Sequence, residues 1–98
     1  MSKKRVAIVG LGIGRAHLEE GYSQLKDLYE VTALCDLDKN RLDEVGETFD
    51  VARRITDFDA LLGMEDVDII DICTPPSLHL QQSLKAVSYT HLRAHETL

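Results

Sequence analysis

Three glycines at alternate positions, Gly10, Gly12 and Gly14, follow directly on the apolar run Arg5-Val6-Ala7-Ile8-Val9. The run is short, rich in β-branched residues and stops at Gly10, as a buried parallel strand does. Beyond the glycines, Leu18, Tyr22, Leu25 and Leu28 or Tyr29 recur at helical spacing. Glu19, Glu20, Ser23, Lys26 and Asp27 fill the other face, which predicts an amphipathic helix. A strand, a glycine turn and a helix in that order direct free amides and the positive end of the helix dipole at whatever lies over the turn. Glycine lets a ligand come close there, because it has no Cβ and tolerates positive φ. The ligand that suits this arrangement is a dinucleotide pyrophosphate. Gly10 would make the tight turn, Gly12 would permit close approach, and Leu11 and Ile13 would lie in the same segment. In the common G-x-G-x-x-G pattern a third glycine would occupy position 15, which is Arg15. Gly14 comes one residue early, so the turn is a G-x-G-x-G variant. A flexible loop would have the same composition. Position between strand and helix is what gives the motif weight.

The rest of the chain repeats the alternation. Tyr29-Glu30-Val31-Thr32-Ala33-Leu34-Cys35 reads as a second strand closed by Asp36. Residues 39–49 read as a helix with Leu42, Val45 and Phe49 on one face, with Gly46 weakening it. A weak strand is expected within residues 51–55. A short helix should follow, capped by Thr56 or Asp57 and carrying Phe58, Leu61 and Leu62. Val67-Asp68-Ile69-Ile70-Asp71-Ile72-Cys73 is the fourth strand. Asp68 belongs at its start, and Asp71 inside it needs a partner that the sequence does not name. Thr74-Pro75-Pro76 stops the strand, because proline cannot donate to a ladder. A last helix begins near Ser77 and carries Leu80 and Leu84. Strands alternating with helices at this spacing predict an α/β fold: a partial Rossmann domain, doubly wound, with about four parallel strands and right-handed crossovers.

Two carboxyl-end features add to the glycine turn. Asp36 ends the second strand, where an acid accepts hydrogen bonds from the adenosine ribose 2′-hydroxyl. A carboxylate there repels a 2′-phosphate, so NAD is expected over NADP. Leu37 and Asp38 offer no positive charge for that phosphate, and Arg41 is the nearest that does. Asp36 could instead cap the next helix, a role open to Asp38 as well. Thr74-Pro75-Pro76-Ser77-Leu78-His79 sits at the carboxyl end of the fourth strand, where ligands bind in open α/β sheets. The prolines stiffen the loop edge. His79 would face the crevice if the helix starts at Ser77. On sequence grounds alone His79 reads first as a surface residue at a helix N-terminus, and His17 as either packed near the glycine turn or on the surface.

Composition narrows the class. At 98 residues, 44 % hydrophobic and 29 % charged, the chain is one small globular domain. The net charge of −6 argues against a nucleic-acid partner. No apolar run approaches the roughly 18–20 residues that span a membrane, and no secretory signal is expected, which points to the cytoplasm. Cys35 and Cys73 end apolar runs and are expected as buried thiols rather than a disulfide. No second ligand stands at zinc-finger spacing, so no metal site is expected.

From Val87 the text changes character. The stretch from Val87 to Thr97 has no helical or strand period, and a common transposase sequencing adapter translates to these eleven residues in order. Residues 1–86 are therefore expected to be the N-terminal part of a dinucleotide-binding domain, and residues 87–98 a non-native tail. His91 and His95 in that tail are excluded from any site.

Taken together, Val9-Gly10-Leu11-Gly12-Ile13-Gly14-Arg15-Ala16-His17, Leu34-Cys35-Asp36 and the segment from Asp66 to His79 resemble the glucose–fructose oxidoreductase/inositol dehydrogenase (Gfo/Idh/MocA) family over residues 4–86. The resemblance implies an NAD(P)-dependent oxidoreductase acting on sugars, inositols or related polyols. The glycine turn and Asp36 would hold the cofactor, with Thr74, Pro75, Pro76 and His79 along its nicotinamide-side edge. In the family a Glu-Lys-Pro motif and a larger α+β domain follow, and these bring the acid–base residues. Neither stands in this chain, so no catalytic residue is assigned, and the piece by itself is expected to be inactive. With four strands of a usual six, the fourth strand should expose an apolar edge. A non-catalytic nucleotide-binding or regulatory module with the same fold is the alternative. The full protein is expected to bind a small-molecule substrate and to be capable of homo-oligomerisation, with no membrane or nucleic-acid partner.

Overall fold

The computed structural model describes residues 3–88 and 96–97. Five strands form one parallel sheet in the order β3-β2-β1-β4-β5, where β1 is Lys4–Val9, β2 Tyr29–Cys35, β3 Arg53–Ile55, β4 Ile69–Ile72 and β5 Glu96–Thr97. The helices are α1 (Leu11–Glu20), α2 (Lys39–Thr48), α3 (Phe58–Leu62) and α4 (Pro76–Ser88). The first four strands and their helices form the expected Rossmann-like half. The chain starts at the central strand β1, winds outward through β2 and β3, then crosses back to lay β4 on the other side of β1. That reversal opens a crevice at the carboxyl ends of β1 and β4.

Alternation along β1 divides the core into two layers. Val6 and Ile8 point to one face and pack with Leu11, Leu18, Leu34, Leu42 and Val45 under α1 and α2. Ala7 and Val9 point to the other and pack with Leu61, Leu62, Ile70, Ile72 and Ala86 under α3 and α4. Because both faces are covered, the central strands are mostly apolar, with Asp71 of β4 a buried charged exception, and β1 from Val6 to Val9 is fully buried. The β1–β2 register slips between Val6 and Ala7, where Thr32 is passed over.

Three local expectations change, and the choice between the two candidate caps of α2 is decided. The helix after the glycine turn ends at Glu20, and Tyr22–Gln24 forms a separate 3₁₀ turn. Gly21 breaks the helix with φ −111° and ψ −84°, and Leu25 and Leu28 beyond it are exposed rather than on a core-facing stripe. Asp38 caps α2, its carboxylate accepting from the Arg41 amide at 3.1 Å, which frees Asp36 from that role. Leu80 and Leu84 on α4 stay exposed, and Ala86 of that helix is buried. Finally, the outer edge of β4 is partly paired: Asp71 and Ile72 lie opposite Glu96 and Thr97. Both partners fall in the segment that the adapter reading assigns to a tail, most of which, residues 89–95 and 98, lies outside the described residues.

Ion pairs tie the strand starts together. Asp68 accepts from the Arg5 amide at 2.8 Å and from the Arg5 guanidinium at 3.0 and 3.1 Å, joining the start of β4 to β1. The same guanidinium and amide hold the Asp68 carboxyl down to about 2 from its usual 3.8.

Candidate functional site

Gly10 leaves β1 with φ +87°, a conformation that side chains rarely adopt. A Cβ at this position would lie 3.0 Å from the carbonyl carbon and oxygen of Cys73 and from Thr74 Cγ2. Two loops, one from β1 and one from β4, thus close on each other at Gly10. Helix α1 starts on the next residue. No side chain caps it, and its first turn holds no acid. The amides of Gly12 and Ile13 have no acceptor within the helix, as for any first turn. The Leu11 amide donates to Asp36 Oδ2 at 2.8 Å.

A crevice of about 620 Å³ opens over this turn. Gly10, Gly12 and Ile13 line it from α1, Asp36 and Arg41 from the end of β2 and from α2, and Thr74, Pro75 and Pro76 from the loop after β4. These eight converge from separate parts of the chain because all lie at, or just beyond, the carboxyl ends of parallel strands. Ile13 is 60 % exposed, an apolar side chain standing free at the rim. The Asp36 side chain is only 9 % exposed and is held by two amides, Leu11 and, at 2.8 Å, Asp38. The Arg41 guanidinium lies 3.7 Å from Asp36 Oδ2, and its Nη1 is the nearest atom to a Cβ placed on Gly12, at 3.8 Å. A carboxylate and a guanidinium therefore stand side by side over the glycine turn.

Three predicted residues lie elsewhere. Gly14 is inside α1 and faces the sheet: a Cβ there would come 2.6 Å from Ile8 Cγ2. It does the helix–strand packing that the third glycine of the longer motif performs, shifted by one residue. The Leu11 side chain is buried in the core, so only its backbone faces the site. His79 does not line the crevice. Its Nε2 is buried and has no hydrogen-bond partner among the described residues. The α4 helix begins at Pro76, one residue before the expected start, and Leu78 and Gln82 are the residues inside this helix that line the opening.

Other lining residues were not singled out from the sequence. Gln82, two turns into α4, accepts from the Thr74 hydroxyl at 2.6 Å. Thr56 and Phe58, just past β3, and Leu37 complete the walls. The rule that ligands sit at strand carboxyl ends would have pointed to Thr56. Nothing in the local pattern marks Gln82. Cys35 and Cys73 both touch the crevice as free thiols. Burial, with help from Asp36, pushes Cys35 up to about 12, and burial beside Asp71 pushes Cys73 up as well. Both are protonated at neutral pH.

Asp71, the acid without a named partner, is 2 % exposed and finds three. His17 Nδ1 lies 2.7 Å from Oδ2, the Tyr22 hydroxyl donates to Oδ2 at 2.8 Å, and Cys73 Sγ lies 3.3 Å from Oδ1. Cys73 of this group also borders the crevice, whereas His17, Tyr22 and Asp71 line a separate cavity.

Residues 4–91 match a family described as oxidoreductase family, NAD-binding Rossmann fold (GFO_IDH_MocA). The D-apiose dehydrogenase of Paraburkholderia graminis is 36 % identical over 74 residues, which is 74 % of this chain and 19 % of that protein. The WlbA dehydrogenase from Chromobacterium violaceum, solved with NADH and UDP-GlcNAcA, superposes with a TM-score of 0.85 at 28 % identity, over 97 % of this chain and 27 % of that one. An oxidoreductase from Agrobacterium radiobacter, solved with NAD+, L-tartaric acid and magnesium, superposes at 0.82 with 27 % identity, over 95 % and 27 %. The chain thus spans about a fifth to a quarter of the proteins it matches. Among the described residues, no helix is long and apolar enough to cross a membrane.

Proposed function

We propose, for a chain that belongs to the Gfo/Idh/MocA oxidoreductase family with its NAD-binding Rossmann fold, that the crevice over Gly10 and Gly12 holds NAD, with Asp36 as the residue that selects it over NADP. The observation that carries this reading is the position of Asp36: its carboxylate ends β2, faces the crevice and is fixed by the Leu11 and Asp38 amides. A carboxylate that accepts two amide bonds keeps further lone pairs for ribose hydroxyls. The pyrophosphate would rest on the Gly12 and Ile13 amides, and the tight space at Gly10 lets the backbone reach it. Thr74, Pro75 and Pro76 would border the nicotinamide half, Thr74 being oriented by Gln82.

Bound NAD supplies a hydride acceptor. This chain's own residues bind and orient it and keep water from its pyrophosphate side. The similar proteins include sugar dehydrogenases, and we take from them a polyhydroxylated, sugar- or polyol-like substrate for the whole protein. The acid–base groups of that reaction we place outside residues 4–91, which match the NAD-binding domain of the family. Two unpaired buried cysteines fit a reducing cytoplasm. Residues 87–98 we read as non-native. A genomic locus that encodes them in frame would refute that.

Titration of the chain with NADH and NADPH, followed by cofactor fluorescence, tests the reading. Saturable NADH binding, tighter than NADPH, is expected. A folded chain that binds neither would overturn it. In the full-length protein, NADH binding without hydride transfer to any sugar or polyol would favour a regulatory module over a dehydrogenase.

A further inference from the structure

Asp71 and Cys73 are two residues apart at the end of β4, and both side chains leave the same face of the sheet. His17, in the second turn of α1, stands over them. His17 Nδ1 lies 2.7 Å from Asp71 Oδ2 and 3.2 Å from Cys73 Sγ, and Sγ lies 3.3 Å from Asp71 Oδ1. Three atoms of metal-ligand type, all within 4.8 Å of one another, therefore meet at one point. His17 Nδ1 and Cys73 Sγ each face the carboxylate and also face each other. When the N–H and the S–H both point at the carboxylate, which also accepts from Tyr22, the 3.2 Å edge between nitrogen and sulfur holds no proton. One cation at the centre serves all three atoms.

We propose that His17 Nδ1, an Asp71 carboxylate oxygen and Cys73 Sγ form a binding site for a divalent cation of borderline softness, Zn²⁺ or Co²⁺. One carboxylate and one thiolate balance its charge, and the sulfur selects against Mg²⁺ and Ca²⁺. Zinc bonds of about 2.0–2.3 Å in tetrahedral geometry set ligand atoms roughly 3.3–3.6 Å apart. The His17–Cys73 edge at 3.2 Å is already close to that; Asp71 turns Oδ2 to His17 and Oδ1 to Cys73, so a small rotation of its carboxylate, with the 2.7 Å His17 contact opening by about half an ångström, brings one oxygen to the metal. Access comes from the other side. His17 and Asp71 line a cavity of about 500 Å³ that reaches solvent beside Tyr22, Tyr29 and Ile69, which provides an entry path and a water for the fourth position. The Tyr22 hydroxyl, on Asp71 Oδ2, orients the carboxylate from outside the ligand set. On binding, the Cys73 S–H bond breaks, a sulfur–metal bond forms and the proton leaves to solvent. The His17 proton moves from Nδ1 to Nε2, and nothing is oxidised or reduced. The ligands come from two elements far apart in sequence, which is why zinc-finger spacing gave no sign of them.

Titration of the chain with Co²⁺ under a phosphine reductant tests the site. A sulfur-to-cobalt charge-transfer band and intense visible d–d bands are expected to saturate at one equivalent and to be displaced by Zn²⁺. The affinity should rise about tenfold per pH unit, because one proton leaves per metal. Cys73→Ser should abolish the charge-transfer band, His17→Ala should weaken binding at least tenfold, and Cys35→Ser should change neither. Absence of the band, or its survival in Cys73→Ser, overturns the proposal. X-ray absorption on the unmodified chain with Zn²⁺ bound needs no variant to fold. A shell with one sulfur supports the site, and a shell of nitrogen and oxygen alone overturns it in favour of the histidines near the C-terminus.

Discussion

The amide of Leu11 donates to the carboxylate of Asp36 across 2.8 Å. This bond links the first residue of α1 to the residue that ends β2, so the pyrophosphate end and the ribose end of the candidate cofactor site are one rigid unit. Asp36→Ala should remove both the ribose acceptor and this link. Hydrogen bonds to a charged group are worth about 1.5–3 kcal/mol, so NADH affinity should fall roughly 10- to 100-fold. Fluorescence titration checks the affinity, and the melting temperature separates loss of contact from loss of fold.

Arg41 stands 3.7 Å from the same carboxylate. With Asp36 present its charge is largely spent on that partner. In Asp36→Ala it faces the crevice unopposed, where a 2′-phosphate would arrive. NADPH should then bind more tightly than to the parent chain, and Arg41→Ala added to that variant should cancel the gain. Equal NADPH affinity in the single and double variants would remove Arg41 from the account.

Gly10 and Gly14 separate binding from packing. In Gly14→Ala the new methyl meets Ile8 Cγ2 at 2.6 Å in a filled core. Overpacking of this kind costs about 1–3 kcal/mol, and a domain this size loses roughly 4–8 °C per kcal/mol. NADH binding by the folded fraction should be retained. In Gly10→Ala the methyl meets the Cys73 carbonyl at a backbone with φ +87°, and both stability and NADH binding should be lost. Thermal melts paired with NADH titration read the two effects.

The Arg5–Asp68 pair gives the chain an acid-sensitive clasp between β1 and β4. The Asp68 carboxyl is held at about 2, below its usual 3.8. A depressed carboxyl stabilises the fold above its unfolded value and loses that contribution as pH falls towards the folded one. Melting temperature should therefore drop between about pH 4 and about pH 2. In Asp68→Asn it should start lower at neutral pH and drop less across that window. A parallel drop in both chains would assign the acid sensitivity to other groups.

What was legible in the sequence was whatever depends on period and punctuation. Val6 to Val9, Ala33 to Cys35 and, apart from Asp71, Ile69 to Ile72 are apolar because both faces of a parallel sheet are covered, and any reader of the pattern recovers them. The glycine turn, Asp36 and Thr74-Pro75-Pro76 were readable as a site because the fold puts strand carboxyl ends together whatever the rest does. Asp38 as a cap followed from its place before α2. The direction of individual side chains was not legible. On α4 Leu78 and Gln82 line the crevice and His79 does not, and Gly21 cut short a helix whose spacing continued past it. Gly14 took a packing role because helix and strand approach at that point and nowhere else.

The sequence by itself determined the order of strands and helices, because burial of a two-faced sheet demands it of the residues locally. Only the tertiary structure decided that His17, Tyr22, Asp71 and Cys73 meet. They come from a helix, a turn and a strand with no shared period, and what joins them is the crossover that lays β4 beside β1 beneath α1. A buried carboxylate must be met by donors wherever they come from. Which donors meet it is a property of the packed chain.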